Sequence, residues 1–282
     1  MTTLDLRDAW RDLLRRRAAL GDALSPYGEI VDRWAGSTAS APPIDATPDD
    51  GRARWARGVP LLADQRVPLA AGAVEELLAP ALDLAAAIRP DAAAGLAAFA
   101  TAWDAGEVAP DALLPARGRI GRLAERYGLD DDVLGFLAVA SLRPLLESSL
   151  EPWRARLGPD DWSLAVCPFC GAPPGWGDIV EGGRLELACH LCGGTWRFSR
   201  ARCPFCGDDD AKSQRRLTAE AGEEGYAIIA CTACRAYLKE LDRRERWNGG
   251  PPLLEDWASP HLDVAVRRQG YWRPLAPVII PG

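Results

Sequence analysis

Histidine and methionine are nearly absent from the 282-residue chain, with two of the first and one of the second. Two histidines, neither with a supporting motif, make no convincing Ser/His/Asp arrangement. Phosphate-cradling loops are missing as well: no Gly-x-Gly-x-x-Gly follows a strand pattern, and there is no Walker-type loop. Basic excess is lacking. The formal net charge of −7 disfavours a globally basic nucleic-acid binder. No unbroken run of about 18 apolar residues occurs, so no membrane-spanning helix is expected. Met1 to Asp12 shows neither an apolar core nor a small-residue cleavage site, and the expected location is the cytosol. Hydrophobic residues at 48% and charged residues at 26% lie near the globular average, which argues against wholesale disorder.

Cysteine is absent from the first 166 residues, and all eight cysteines fall between Cys167 and Cys234. This segregation is the clearest domain signal. The first part is rich in Ala, Leu, Arg and Asp and has no long alternating pattern. Leu6, Trp10, Leu13 and Leu14 recur at helical spacing. Further helices are expected over Val74–Ile88, where Pro80 should kink the helix or start a new turn, and over 92–105, 120–127 and 131–141. Pro144 is expected to break or bend the chain before a last helix over 145–156. Ser37–Asp50 reads as a loop, and Trp10, Trp55, Trp103 and Trp153 as core anchors. Six to eight helices result.

Beyond residue 157 the helical period vanishes, and short β-type runs appear at 185–188, 195–198 and 226–230 between Gly and Cys turns. A short helix around 262–268 and an apolar extended segment, Ala276–Pro281, close the chain. The fold class is α+β: an all-helical N-terminal domain followed by two small metal modules.

The cysteines form four pairs: Cys167 and Cys170, Cys189 and Cys192, Cys203 and Cys206, Cys231 and Cys234. Two intervening residues let both thiolates of a pair converge on one ion. The Gly after three of the pairs supplies a conformation with φ > 0. Two such turns give a closed tetrahedral four-sulfur set, so eight ligands suffice for two sites. The pairs are separated by 18, 10 and 24 residues. The pairing first with second and third with fourth keeps loop closure short; the interleaved alternative joins first with third. A closed S4 site offers no open position for substrate, so its default role is structural. Spacing does not separate iron from zinc. His190, inside the second turn, is unnecessary as a ligand. Asp208 to Asp210 and Glu223, Glu224 read as solvated surface. From Cys167 to Arg246 there are 12 Lys plus Arg and 12 Asp plus Glu, so the module lacks the excess that phosphate binding requires. Arg197, Arg200 and Arg202 around Phe198 make one local basic-aromatic cluster.

The dressing of these pairs resembles the formate dehydrogenase accessory protein family, FdhE. The resemblance rests on Cys167-Pro-Phe-Cys170-Gly with Ala172-Pro-Pro174, on Cys189-His-Leu-Cys192-Gly, and on Trp196-Arg-Phe198 leading to Cys203-Pro-Phe-Cys206-Gly. It continues with Cys231-Thr-Ala-Cys234 and Tyr237-Leu-Lys239. Ser141-Leu-Arg-Pro144 upstream, and His261-Leu-Asp263, Gly270-Tyr271 and the ending Pro277–Gly282 downstream, are also similar. The resemblance implies a helical domain (1–160) carrying two rubredoxin-like or zinc-ribbon modules (161–200 and 201–250), then a C-terminal helix and extended tail (251–282). It implies a cytoplasmic maturation factor that binds the formate dehydrogenase catalytic subunit and is not itself an enzyme. It further implies two metal ions per chain, iron in the family or else zinc, on all eight cysteines. Neither nucleic-acid binding nor membrane insertion is expected, and self-association stays open. Two other classes compete: a zinc-ribbon nucleic-acid or transcription module, and a dithiol redox enzyme or chaperone with metal-free pairs.

Overall fold

The computed structural model describes residues 3–38, 41–63, 67, 69–115, 119–158, 161–218, 223–275 and 279. Eight helices come first: α1 (Thr3–Arg16), α2 (Gly21–Leu24), α3 (Tyr27–Gly36), α4 (Pro48–Ala56), α5 (Ala71–Ile88), α6 (Ala93–Asp104), α7 (Arg119–Tyr127) and α8 (Asp131–Arg154). Six strands follow, β1 (Trp176–Ile179), β2 (Leu185–Ala188), β3 (Thr195–Phe198), β4 (Gln214–Thr218), β5 (Tyr226–Cys231) and β6 (Tyr237–Asp242). Two short helices, α9 (Pro252–Trp257) and α10 (Pro260–Arg267), come last. The architecture is α+β. The segment 276–281 expected to be extended lies outside the described residues except at Ile279.

Three expectations of the helical part need correction. The loop assigned to Ser37–Asp50 ends early, because Thr47 and Asp50 cap each other reciprocally and start α4 at Pro48. Of the two outcomes expected at Pro80, the start of a new turn does not occur, and α5 runs through it. Val74, Leu77, Leu78, Ala81 and Ala85 form one buried stripe, and the helix packs against α8. Pro144 does not break α8, which runs on to Arg154. A proline at 144 cannot donate to the carbonyl of Ala140, four residues back. That carbonyl instead accepts the indole N–H of Trp34 at 2.7 Å, so the acceptor freed at Pro144 is satisfied. By length and composition α8 is apolar enough to cross a membrane, but 78% of its apolar window is buried inside the protein. It is the central helix of the core, in contact with α5 and α7.

The six strands make one sheet in the order β3-β2-β1-β6-β5-β4. Each cysteine module contributes an antiparallel meander, and the two join where β1 runs parallel to β6. Two apolar clusters result. The larger runs from Trp10 and Leu13 through α8 to Cys167, Cys189 and Trp196, so the helices and the first module share a core. The smaller holds Trp176, Tyr226 and Tyr237 against Leu262 and Val266 of α10. Trp257 of α9 is fully buried and reaches back into the helices, stacked on Trp34 with ring centroids 5.6 Å apart. The four tryptophans expected as anchors, Trp10, Trp55, Trp103 and Trp153, are all buried.

Candidate metal centres

All four Cys-x-x-Cys turns have the same backbone. The amide after the second cysteine donates to the carbonyl of the first: Gly171 to Cys167, Gly193 to Cys189, Gly207 to Cys203 and Arg235 to Cys231, at 2.9–3.0 Å. The first cysteine's own amide donates to the residue five positions on, as Cys167 to Ala172 at 2.8 Å and Cys231 to Ala236 at 2.9 Å. This geometry needs φ > 0 after the second cysteine. Gly171, Gly193 and Gly207 supply it at 76°, 71° and 78°. In the fourth turn Arg235 adopts φ 63° without being glycine, and its guanidinium lies 3.9 Å from the centre of the Tyr271 ring.

The turns meet in pairs. Cys167, Cys170, Cys189 and Cys192 form one group, and Cys203, Cys206, Cys231 and Cys234 the other. The interleaved alternative does not occur, since each module folds its own two turns together: one precedes its meander and one joins the meander's last two strands. All eight cysteines are free. Sulfurs approach to 3.5 Å across the first group (Cys167 to Cys192, Cys170 to Cys189) and to 3.8 Å across the second (Cys203 to Cys234, Cys206 to Cys231). A tetrahedral ion with metal–sulfur bonds of about 2.3 Å sets its sulfurs about 3.8 Å apart, whereas a disulfide needs about 2.0 Å. The donor set and spacing therefore fit one thiophilic ion per group.

Without an ion, the thiols of each group hold one another's protons in unequal ways. Burial pushes the Cys167 and Cys170 thiols well above their ordinary value, while against that burial hydrogen bonds from neighbouring thiols hold Cys189 down. Burial likewise raises Cys203 and Cys234, and the backbone amides of Cys234 and Ala233 offset it at Cys231. Four thiols this close do not all ionise unless a cation sits among them.

The first group is clasped by the helices. Trp55 Nε1 and the Leu61 amide both donate to Pro168 O at 2.9 Å, and the Leu62 amide to Phe169 O at 2.9 Å. Arg143 and Arg154 of α8 donate to His190 O and Cys192 O, each at 2.7 Å. His190 is buried with its ring turned toward Asp256, Nε2 lying 3.1 Å from Oδ2.

Beside the first centre lies a buried ionic network that sequence reasoning missed. Lys239 Nζ stands 2.7 Å from Asp256 and 2.5 Å from Asp263, and Arg273 holds both Asp256 oxygens at 2.7 and 2.9 Å. None of these four side chains is exposed to solvent. Burial alone would raise the Asp256 carboxyl, but Arg273 and Lys239 hold it well below the usual range. The available signal was a lysine inside the strand Tyr237-Leu-Lys-Glu-Leu241. Glu223 also departs from its assignment as solvated surface. It pairs with the buried Arg17 of the helical part, and His261 stands 3.7 Å away. Arg197, Arg200 and Arg202 are exposed, as a mixed face would be.

These features define a helical scaffold that carries two tetra-cysteine centres on a shared sheet. No family model matches the chain. Curated relatives bear out the resemblance to the FdhE family. A "Protein FdhE homolog" of Aquifex aeolicus is 30% identical over 150 residues, 51% of each chain. One of Stutzerimonas stutzeri is 36% identical over 133 residues, covering 46% of this chain and 41% of that protein. The match thus spans half, or less, of the length of these relatives. Among solved structures, the FdhE protein from Pseudomonas aeruginosa has the same fold, with a TM-score of 0.63 at 22% identity over 100% of this chain and 98% of the other.

Proposed function

We propose that the chain is an accessory factor for formate dehydrogenase, one that binds the enzyme's catalytic subunit in the cytoplasm and catalyses nothing itself. The observation that carries this reading is the pair of complete four-cysteine groups on an FdhE fold. A four-thiolate site is coordinatively closed, which suits holding a surface in shape and does not suit turning over a substrate. In this reading Cys167, Cys170, Cys189 and Cys192 hold one ion and Cys203, Cys206, Cys231 and Cys234 a second. Iron is the metal that the family resemblance implies, with zinc as the alternative. The sheet region and its centres support the recognition surface, with the helical part, 1–160, as its base.

The test has a genetic and a biochemical arm in the native host. Deletion should abolish formate oxidation while the dehydrogenase polypeptides are still made. The wild-type gene should restore activity, and a tagged copy should retain the catalytic subunit on purification. Intact formate oxidation in the deletion strain, with no dehydrogenase subunit recovered on the tag, would sink the proposal.

A further inference from the structure

The two centres have the same four-turn backbone and the same donor set, yet their surroundings differ sharply. At the first centre all four cysteines are buried, with exposures of 0–3%. Its turns are tied from outside the module by five hydrogen bonds of 2.7–2.9 Å from Trp55, Leu61, Leu62, Arg143 and Arg154. At the second centre Cys203 and Cys231 are buried, but Cys206 is exposed and Cys234 half-buried. Its fourth turn is tied to the segment 269–272, by Trp272 Nε1 to Cys234 O at 3.0 Å, the Trp272 amide to Arg235 O at 2.9 Å, and the Arg235 guanidinium to Gly270 O and Gln269 O, while the Thr232 amide donates to Ser213 O at 2.8 Å. Trp272 is itself half exposed. The fourth turn also holds a non-glycine residue, Arg235, in the left-handed region where the other three have glycine.

An ion in a four-sulfur site leaves when an outside ligand reaches a sulfur edge and one cysteine swings away. Both requirements fail at the first centre, where no sulfur faces solvent and the backbone cannot move without breaking bonds to the helices. Both are met at the second on the side of Cys206, which is exposed and lies in the other turn from the one tied to 269–272. We infer that the two centres divide their work: the first holds its ion the longer, and the second, opening at Cys206, is the one that exchanges its ion readily with thiols and chelators in solution. The inference rests on the reading that each group holds one ion, and goes beyond it by assigning the groups unequal roles.

The experiment uses the full-length protein loaded with zinc. Total metal is measured first: fewer than two ions per chain would defeat the two-site reading itself and not the division of roles. The loaded protein is then mixed with an excess of the colour-forming chelator 4-(2-pyridylazo)resorcinol. Release should occur in two phases of equal amplitude, one ion each, with rates at least tenfold apart. In parallel, a timed pulse of iodoacetamide and peptide mass mapping should find Cys206 modified first, then its three partners. Cys167, Cys170, Cys189 and Cys192 should stay unmodified until the fast ion has gone. Arg154→Ala, which frees Cys192 O, should speed the slow phase and leave the fast one unchanged. One common rate for both ions, or alkylation that begins within the first group, overturns the inference.

Discussion

Replacing Lys239 with methionine removes one charge from a neutral, solvent-free set of four. Lys239 and Arg273 balance Asp256 and Asp263, and Lys239 Nζ also donates to Asp256 O at 2.8 Å and Ser259 O at 3.1 Å. Methionine fills similar volume but leaves two buried carboxylates facing one guanidinium, and takes one donor from each of two carbonyls that keep a backbone amide. Breaking a buried ion pair on one side costs about 3–5 kcal/mol. Whole-domain stability is about 5–15 kcal/mol, so the variant should fold but lose a large part of its margin. Urea unfolding of metal-loaded protein, followed by tryptophan emission, should show the midpoint well below wild type. Adding Asp263→Asn restores the charge balance and should recover part of the loss. A Lys239→Met midpoint equivalent to less than about 1 kcal/mol of change would refute the claim that this network holds the C-terminal helices to the sheet.

Other outcomes follow from the same geometry. Trp34→Phe orphans the Ala140 carbonyl and should cost about 1–3 kcal/mol; the penalty should shrink in a Pro144→Ala background, where residue 144 regains an amide, as a double-mutant cycle in urea would read. Asp256 and Glu255 are held below the ordinary carboxylate range, burial being outweighed by Arg273 and Lys239 at the first and by Tyr226 and Arg16 at the second. Their contribution is therefore present above the unfolded values near about 4 and lost as pH falls through the lower folded ones. The stability difference between wild type and Asp256→Asn should accordingly narrow below about pH 4, and a constant difference would contradict the assignment. Cys167→Ser should lower helicity in far-UV circular dichroism as well as remove an ion, because its centre shares the helical core, whereas Cys206→Ser should leave helicity near wild type. Structural zinc contributes about 10–16 kcal/mol in small peptides, enough to decide folding.

What could be read in advance follows physical lines. The paired cysteine spacing is a local geometric requirement, and it announced eight ligands for two four-sulfur groups; short loop closure favoured the observed partition, with the interleaved one left open. Strands β2, β3 and β5 were visible through apolar residues between glycine- and cysteine-bearing turns. The other half of the sheet was hidden for separate reasons. β4, Gln-Arg-Arg-Leu-Thr, is a largely exposed edge strand with no apolar face to display. β6 is buried at all six positions yet contains Lys239 and Glu240, whose partners come from distant segments, and Asp242, which pairs with Arg244 two residues on. β1 has four residues, one of them glycine, and is held by neighbours on both sides. Pro144 misled because the group that rescues its helix is an indole over a hundred residues away. The joining of the two modules by β1 and β6, and the clasp of Arg143 and Arg154 on the first centre, are likewise long-range facts.

The central claim is that each four-cysteine group holds one ion. Native mass spectrometry of protein purified from its own host, compared with the same sample denatured in acid, measures this directly. The account predicts a folded chain heavier than the bare polypeptide by two metal ions, with the excess lost on denaturation. A compact, native-like chain carrying no ion, or only one, would contradict it.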